Sequence, residues 1–200
     1  MFLAEVPYKS NGESVSFHDD HVEFKGQSIR YDEIETMAAA GQSVTHTYIG
    51  IPVGKSFDGS IVFWTRDGKR RGIVMNSMSI FGIPIIRNPR KNAELFPPLF
   101  DAVDKIIARS MAQRYIYAIQ QGQTVEVAGL LINGAAAVPK GKSPQKTEMI
   151  TKVNYQACEI IGGGTGVRVY GKMGELIWGS SIWSTKNVLL LPHILDAIFR

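Results

Sequence analysis

The sequence predicts an α+β protein in which one small module, a set of β-rich segments followed by a helix, occurs twice. The first observation is a helical motif that recurs 95 positions along the chain, at 91–103 and 186–198. Both copies have Lys-Asn, four residues, Pro, three residues, then Asp-Ala and a β-branched residue. The second observation is that runs rich in β-branched and aromatic residues, separated by turn residues, precede each copy. Such a repeat indicates a duplicated unit.

Length and composition set limits on domain number and on partners. The 200 residues are 44% apolar and 20% charged, which is ordinary for a globular protein and sufficient for one large or two small domains. The repeat favours two domains, which we place at 1–122 and 123–200. The chain has 22 Lys and Arg against 18 Asp and Glu, a net charge of +4. This balance is too weak for a dedicated nucleic-acid binder, so we expect no nucleic-acid partner.

A hairpin is predicted around the polar cluster at 18–21, His-Asp-Asp-His. Two short alternating runs flank this cluster: Val15 and Phe17 before it, Val22 and Phe24 after it. Asp-Asp is ordinary turn chemistry. The alternative is a metal site, because His and Asp are both metal ligands. Neighbours in a tight turn rarely converge on one ion, so the turn is the favoured interpretation and we expect no metal.

The rest of the first module is also predicted to be β-rich. The clearest hairpin spans 61–78, with Asp67-Gly68 at its turn. A strand is expected near 45–51, and the small residues at 37–41 predict a loop before it. The stretch at 79–89 contains Gly82, Pro84 and Pro89, which predicts an extended insertion rather than a helix.

A long amphipathic helix is predicted to follow. Asn92 is its expected cap, Pro97-Pro98 mark a possible break, and Gly122 ends it. About twenty-five residues would extend about 37 Å at 1.5 Å per residue. That length exceeds what one small sheet can cover, so we expect the far end of the helix to pack on the second module.

The second module repeats the order of features in the first, and its final helix is predicted at 187–199. The spacing between matched features varies because the loops differ in length. Four further matches are the segment 22–26 with 130–134, Tyr31 with Tyr155, the turn 66–68 with 172–174, and Gly72 with Gly179.

Short antiparallel strands closed by one C-terminal helix resemble the pleckstrin-homology-like (PH-like) superfold, especially its bacterial members. The resemblance covers 14–121 and 123–200. It implies two tandem PH-like modules, each a bent antiparallel sheet or partly open barrel capped by the C-terminal helix. The physical requirement is that a small sheet with one apolar face must be covered.

No catalytic constellation is apparent in the sequence. The single cysteine, Cys158, has apolar neighbours that predict an inert buried thiol. The segment 50–56 resembles a phosphate-binding loop but lacks the required glycine spacing and a following helix. Asp101 and Asp196 recur in the helical motif, and surface or local hydrogen bonding explains each better than catalysis. We therefore predict a protein that is not an enzyme and has no cofactor, with an enzyme built from distant residues as the least favoured alternative.

Phosphoinositide-binding members of the superfold use basic residues that flank the first hairpin, whereas the matching region here is closer to acidic. The densest positive cluster is instead Lys69-Arg70-Arg71, on a later hairpin. A second group lies in a loop of the other module: Lys140, Lys142 and Lys146. A solvated surface is the favoured interpretation of these residues, and contact with an anionic partner or lipid is the alternative.

The expected function is that of a non-catalytic interaction protein that docks a protein or peptide partner, for example by adding a strand to an exposed sheet edge. The alternative is reversible binding to an anionic membrane through the six basic residues. The first nine residues lack the basic and apolar regions of a signal peptide, and no run approaches 18 apolar residues. A cytoplasmic location is therefore expected.

Overall fold

The computed structural model describes residues 1–9, 11–81, 83–141, 149–161, 166–181 and 185–200. The chain divides into two compact units, Met1–Ile106 and Ile107–Arg200. Both units are built from antiparallel sheets followed by a helix, which is the α+β class expected from the sequence. The units divide between Ile106 and Ile107, whereas the boundary expected from the sequence lies between Gly122 and Gln123.

The first sheet of unit 1 is an antiparallel meander of four strands in sequential order. Its strands are β1 (Phe2–Pro7), β2 (Ser14–His18), β3 (His21–Phe24) and β4 (Gln27–Arg30). Alternate residues of β2 and β3 are buried, so one face of this sheet forms core and the other meets solvent. The two residues between β2 and β3 confirm the hairpin predicted at 18–21.

The second sheet of unit 1 is organised by one long hairpin. It contains β5 (Ile34–Tyr48), β6 (Ile51–Thr65), β7 (Arg70–Val74), β8 (Ser77–Ile80) and β9 (Ile83–Ile86). The sheet order is β5-β6-β8-β9, and β7 pairs with another part of β6. The insertion at 79–89 is extended in β9, as predicted.

The loop predicted at 37–41 is wrong, because these residues belong to β5. Gly41 pairs with Gly59 of β6. A Cβ at Gly41 would lie 2.4 Å from the ring of Phe96, and one at Gly59 would lie 2.9 Å from the same ring. The small residues therefore make room for an aromatic side chain of the following helix, and this contact outweighs their weak strand propensity.

The helical segment consists of α1 (Pro89–Ala102), a π-helical stretch (Val103–Ala108) and α2 (Arg109–Gln120). The Asn88 side chain accepts a hydrogen bond from the Arg90 amide, so the cap lies at Asn88 and the predicted cap at Asn92 is wrong. Pro89 at the first position suits this start. The expected end at Gly122 is confirmed, since its φ is +80° and α2 has just ended.

Unit 2 comprises α2, two short sheets and a C-terminal helix. The strands of the first sheet are β10 (Val125–Val127), β11 (Leu130–Ile132), β12 (Ala136–Pro139) and β13 (Ile150–Thr151). The second sheet has β14 (Tyr155–Ile161), β15 (Gly166–Gly171) and β16 (Leu176–Ser181). Helix α3 (Leu190–Phe199) packs on β14 and on α2, which confirms that the far end of the long helix packs within the second unit. Among the described helices, none is both long and apolar enough to cross a membrane.

The hairpin turns of the two units have the same hydrogen bonds. Gly68 donates to Thr65 at 2.9 Å, and Gly174 donates to Gly171 at 2.8 Å. Outside each turn, Arg66 donates to Glu33 at 3.0 Å and Lys172 donates to Asn154 at 2.9 Å. These bonds agree with the match of 66–68 to 172–174 in the sequence.

Two other matches from the sequence are displaced in the structure. Glu33 and Asn154 accept equivalent hydrogen bonds from the two turns, so the residues that follow them, Ile34 and Tyr155, are equivalent. The match of Tyr155 to Tyr31 is therefore wrong. Leu130 lies in the second strand of the first sheet of unit 2, and Val15 lies in the second strand of the first sheet of unit 1. The segment 22–26 begins in β3, the third strand of its sheet. The match of 130–134 to 22–26 is therefore wrong by one strand.

Candidate functional site

The basic triplet predicted from the sequence lies beside the turn between β3 and β4. Lys25 in that turn donates a hydrogen bond from Nζ to the Gly72 carbonyl at 3.3 Å. Arg71 donates to the Ser28 carbonyl at 3.3 Å. The structure thus brings Lys25 to Lys69, Arg70 and Arg71, and we call these four residues the basic cluster. An open cleft of about 710 Å³ is lined by the cluster together with Phe24, Gln27 and Gly72.

Not all four charges of the basic cluster are equally available to a ligand. Lys69 forms an ion pair with Asp67 at 2.8 Å. This ammonium group and the Thr65 hydroxyl hold the pKa of the Asp67 carboxyl well below its usual range. The Arg70 guanidinium lies 5.9 Å from the centre of the Trp64 ring, which supports its position by a cation–π contact. The charges available to an anion are therefore chiefly those of Lys25, Arg70 and Arg71.

The second basic group from the sequence belongs to unit 2. Lys140, directly after β12, forms an ion pair with Glu126 of β10 at 2.7 Å. Lys142 and Lys146 lie outside the described residues. The ion pair gives Lys140 a local structural partner.

The outer half of β5, residues 42–48, is a second candidate surface. β5 is the terminal strand of its sheet, so its other edge carries no partner strand among the described residues. Most of these seven residues are exposed, and they include no Pro, Lys, Arg, Asp or Glu. Charges and prolines are the usual means by which edge strands avoid pairing with other chains. At about 3.3 Å per residue, this edge is about 23 Å long.

Exposed apolar side chains gather at the same end of this sheet. The amide of Phe81 donates to the Val53 carbonyl at 2.6 Å, which places the tips of the β5–β6 and β8–β9 hairpins side by side. The exposed apolar residues of these hairpins are Val44, Tyr48, Ile49, Ile51, Ile80, Phe81, Ile83, Ile85 and Ile86. Exposed apolar side chains that lie near one another are common at protein interaction surfaces.

The remaining sequence candidates have structural explanations. Burial raises the pKa of the Cys158 thiol, which disfavours the nucleophilic thiolate. Asp101 pairs with Lys105 at 2.9 Å, and Asp196 accepts a hydrogen bond from Tyr155. Residues 54–56 lie inside β6 rather than before a helix, so they lack the helix N-terminus that a phosphate loop requires.

The fold is that of an α+β chain with two β-rich units, and the exposed candidate surfaces described above lie on the first unit. In comparisons with known protein families, curated proteins and solved structures, the chain matches none of them.

Proposed function

We propose that the chain is a cytoplasmic, non-catalytic binding protein made of two PH-like modules, which docks an extended segment of a partner protein along the outer edge of β5. The PH-like assignment is supported by the layout of each unit, a four-stranded meander, a second antiparallel sheet and a helix. The cytoplasmic location rests on the sequence alone.

The observation that carries the docking proposal is the unpaired edge at 42–48. An added strand would satisfy the free backbone N–H and C=O groups of this edge, and its side chains would determine specificity. Val44 and Tyr48, which are 37% and 69% exposed, offer it apolar contact. We therefore propose a partner segment rich in β-branched and aromatic residues.

Charge adds one further feature to the proposed partner. Lys55 of β6, whose side chain carries an ammonium group, pairs directly with Thr45 of β5. An acidic residue of the added strand that lies directly opposite Thr45 would approach the ammonium group of Lys55 across β5. The other edge of the sheet is less suited to docking, because Pro84 removes a backbone donor from β9.

The test is a selection of random peptides displayed on phage, followed by measurement of the selected peptide by fluorescence anisotropy. The carbonyls of Val53 and Lys55 face β8 and its turn, so the backbone of Thr45, which is opposite Lys55, faces the outer edge of β5. Thr45→Pro therefore removes a donor from this edge and is expected to weaken binding at least tenfold. Ile85→Pro, on the other edge strand of the same sheet, is the matched control and should leave binding unchanged. Amide hydrogen exchange should slow at 42–48 when the peptide is bound.

Two results would contradict the docking proposal. The first is a selected peptide that protects amides outside β5. The second is equal binding by Thr45→Pro and Ile85→Pro. Sedimentation velocity tests whether the chain pairs with itself, because a dimer that is lost in Thr45→Pro would assign the edge to a second copy of this chain. Circular dichroism on each variant establishes that the fold is retained.

A second candidate function is reversible binding to an anionic membrane, and the convergence of Lys25 with Arg70 and Arg71 favours it. Each basic residue near an anionic surface contributes about 1 kcal/mol, or about fivefold in binding. Arg71→Ala should therefore reduce co-sedimentation with vesicles containing phosphatidylserine, and Lys172→Ala in unit 2 is the control. Binding that resists moderate salt, or that is equal on neutral vesicles, would exclude this function.

A further inference from the structure

We propose that His18, His21 and Glu23 bind one Zn²⁺ ion at the turn of the β2–β3 hairpin. Each of these residues offers one ligand atom, and the three atoms lie within 4.8 Å of one another. This inference is independent of the docking edge, which lies on the other sheet of unit 1.

The carboxylate of Glu23 lies near the Nε2 atoms of both imidazoles. Its Oε1 is 3.3 Å from Nε2 of His21, and its Oε2 is 3.9 Å from Nε2 of His18. The two rings are stacked, with their centres 4.1 Å apart and their planes 6° from parallel. Three ligand groups of the kinds that zinc prefers therefore lie close to one another.

The hairpin register explains this convergence. Phe17 pairs with Val22, and Ser16 pairs with Glu23. The next residues along the two strands are His18 and His21, which therefore face each other across the hairpin. Since side chains alternate along a strand, His21 and Glu23 project from the same face. The sequence argument against a metal site considered consecutive residues of a tight turn, whereas the three ligands come from two paired strands.

The surroundings of the two histidines suit metal binding. Nε2 of His18 is buried and has no hydrogen-bond partner among the described residues. Nδ1 of His21 lies 2.6 Å from the Asp20 carboxylate, and a carboxylate on one ring nitrogen orients the other nitrogen towards a metal. The His18 carbonyl accepts a hydrogen bond from the Tyr31 hydroxyl at 2.7 Å, which holds the backbone of the turn.

The donor set favours zinc among the common divalent ions. Imidazole nitrogen suits Zn²⁺, whereas Ca²⁺ and Mg²⁺ prefer oxygen ligands. In a tetrahedral site with bonds of about 2.0 Å, neighbouring ligand atoms are about 3.3 Å apart, so side-chain rotations that separate the two stacked rings would complete the geometry. Three protein ligands leave the fourth position to water. The ion would link β2 to β3, because His18 belongs to one strand and the other two ligands to the next.

The experiment is a calorimetric titration of the full chain, without a histidine tag and after chelation, with Zn²⁺ alone. One site is expected, with saturation at micromolar Zn²⁺ and a higher midpoint of thermal unfolding in the metal-bound protein. His21→Ala and Glu23→Gln should each weaken binding at least tenfold. His46→Ala is the matched control, because His46 lies in another hairpin and contacts Ser56.

Binding of Co²⁺ provides a second readout, since tetrahedral Co²⁺ absorbs strongly in the visible range and the band should be lost in His18→Ala. The absence of saturable Zn²⁺ binding to the wild-type chain would overturn the proposal. So would equal affinities of the wild type and Glu23→Gln, a variant that keeps the size of the side chain. If His18→Ala fails to fold, by circular dichroism, Glu23→Gln and His21→Ala decide the result.

Discussion

The hydroxyl of Tyr155 donates a hydrogen bond to the carboxylate of Asp196, which connects the start of β14 to α3. Asp196 and its counterpart in the first copy of the helical motif, Asp101, each pair with the basic residue four positions further on, Arg200 at 3.1 Å and Lys105 at 2.9 Å. Asp196 has the additional role of joining its helix to a sheet.

Tyr155→Phe is expected to lower the free energy of unfolding by about 1–2 kcal/mol, because a hydrogen bond to a charged group contributes more than a neutral one. Tyr155 is only 3% exposed, so its ring position should be kept in the variant. Urea denaturation measures the effect. Asp101→Asn, which removes an exposed ion pair, should change stability by less than about 0.5 kcal/mol. Equal effects of the two variants would contradict the assignment.

Gly72 and Gly179 occupy matching positions, opposite Val62 and Arg168 on the neighbouring strands. A Cβ at Gly72 would lie 2.3 Å from the Ile61 carbonyl oxygen, whereas a Cβ at Gly179 would lie 3.4 Å from that of Val167. Gly72→Ala is therefore expected to destabilise the protein by about 1–3 kcal/mol, because backbone must shift. Gly179→Ala should be tolerated. Thermal unfolding of the two variants compares them directly, and similar midpoints would refute the steric explanation.

Cys158 is expected to react with a disulfide reagent such as Ellman's only when the protein opens. Burial, and to a lesser extent the charge of Asp196, raises the pKa of its thiol, so little thiolate is present at neutral pH. The reaction should be slow in buffer and fast in denaturant. A fast reaction of the native protein, at the rate of a free thiol, would show that the side chain is accessible.

Glu13 is expected to make stability depend on pH in the acid range. Hydrogen bonds from Lys9, Tyr8 and Asn11 lower the pKa of its carboxyl from 4.5 to about 2. Because the folded state favours the ionised form, this stabilisation is present above the unfolded pKa and is lost as the pH falls from about 4.5 towards 2. The unfolding midpoint of Glu13→Gln should therefore lie below that of the wild type at pH 7 and approach it near pH 2.5. A constant difference would argue against the shift.

Local patterns in the sequence predicted several elements of the fold correctly. Asp67-Gly68 specifies its hairpin turn, and Gly122 ends its helix, because each depends on the backbone preferences of a few adjacent residues. The strand at 37–41 could not be predicted in this way. Its small residues are explained by the ring of Phe96, which is distant in sequence.

Local sequence patterns also could not predict every residue of the candidate surfaces. Lys69, Arg70 and Arg71 are adjacent and visible as a basic run, but Lys25 joins them only when the first sheet lies beside β7. His18, His21 and Glu23 become neighbours only when the register of β2 and β3 is known. The repeat, likewise, was recognised in the helices, while the matches of Tyr31 and 22–26 were displaced because short strands permit more than one alignment.

The position of α2 means that the two halves of the sequence repeat are not interchangeable parts. Met111, Ala112, Ile116 and Ile119 of α2 are buried, and α2 packs on α3 within unit 2. A fragment cut at the repeat boundary, 123–200, would lose this cover and leave part of α3 open to water, whereas a fragment from 107 keeps it. Any recombination that exchanged the second module between proteins would therefore have to carry with it the end of the preceding helix.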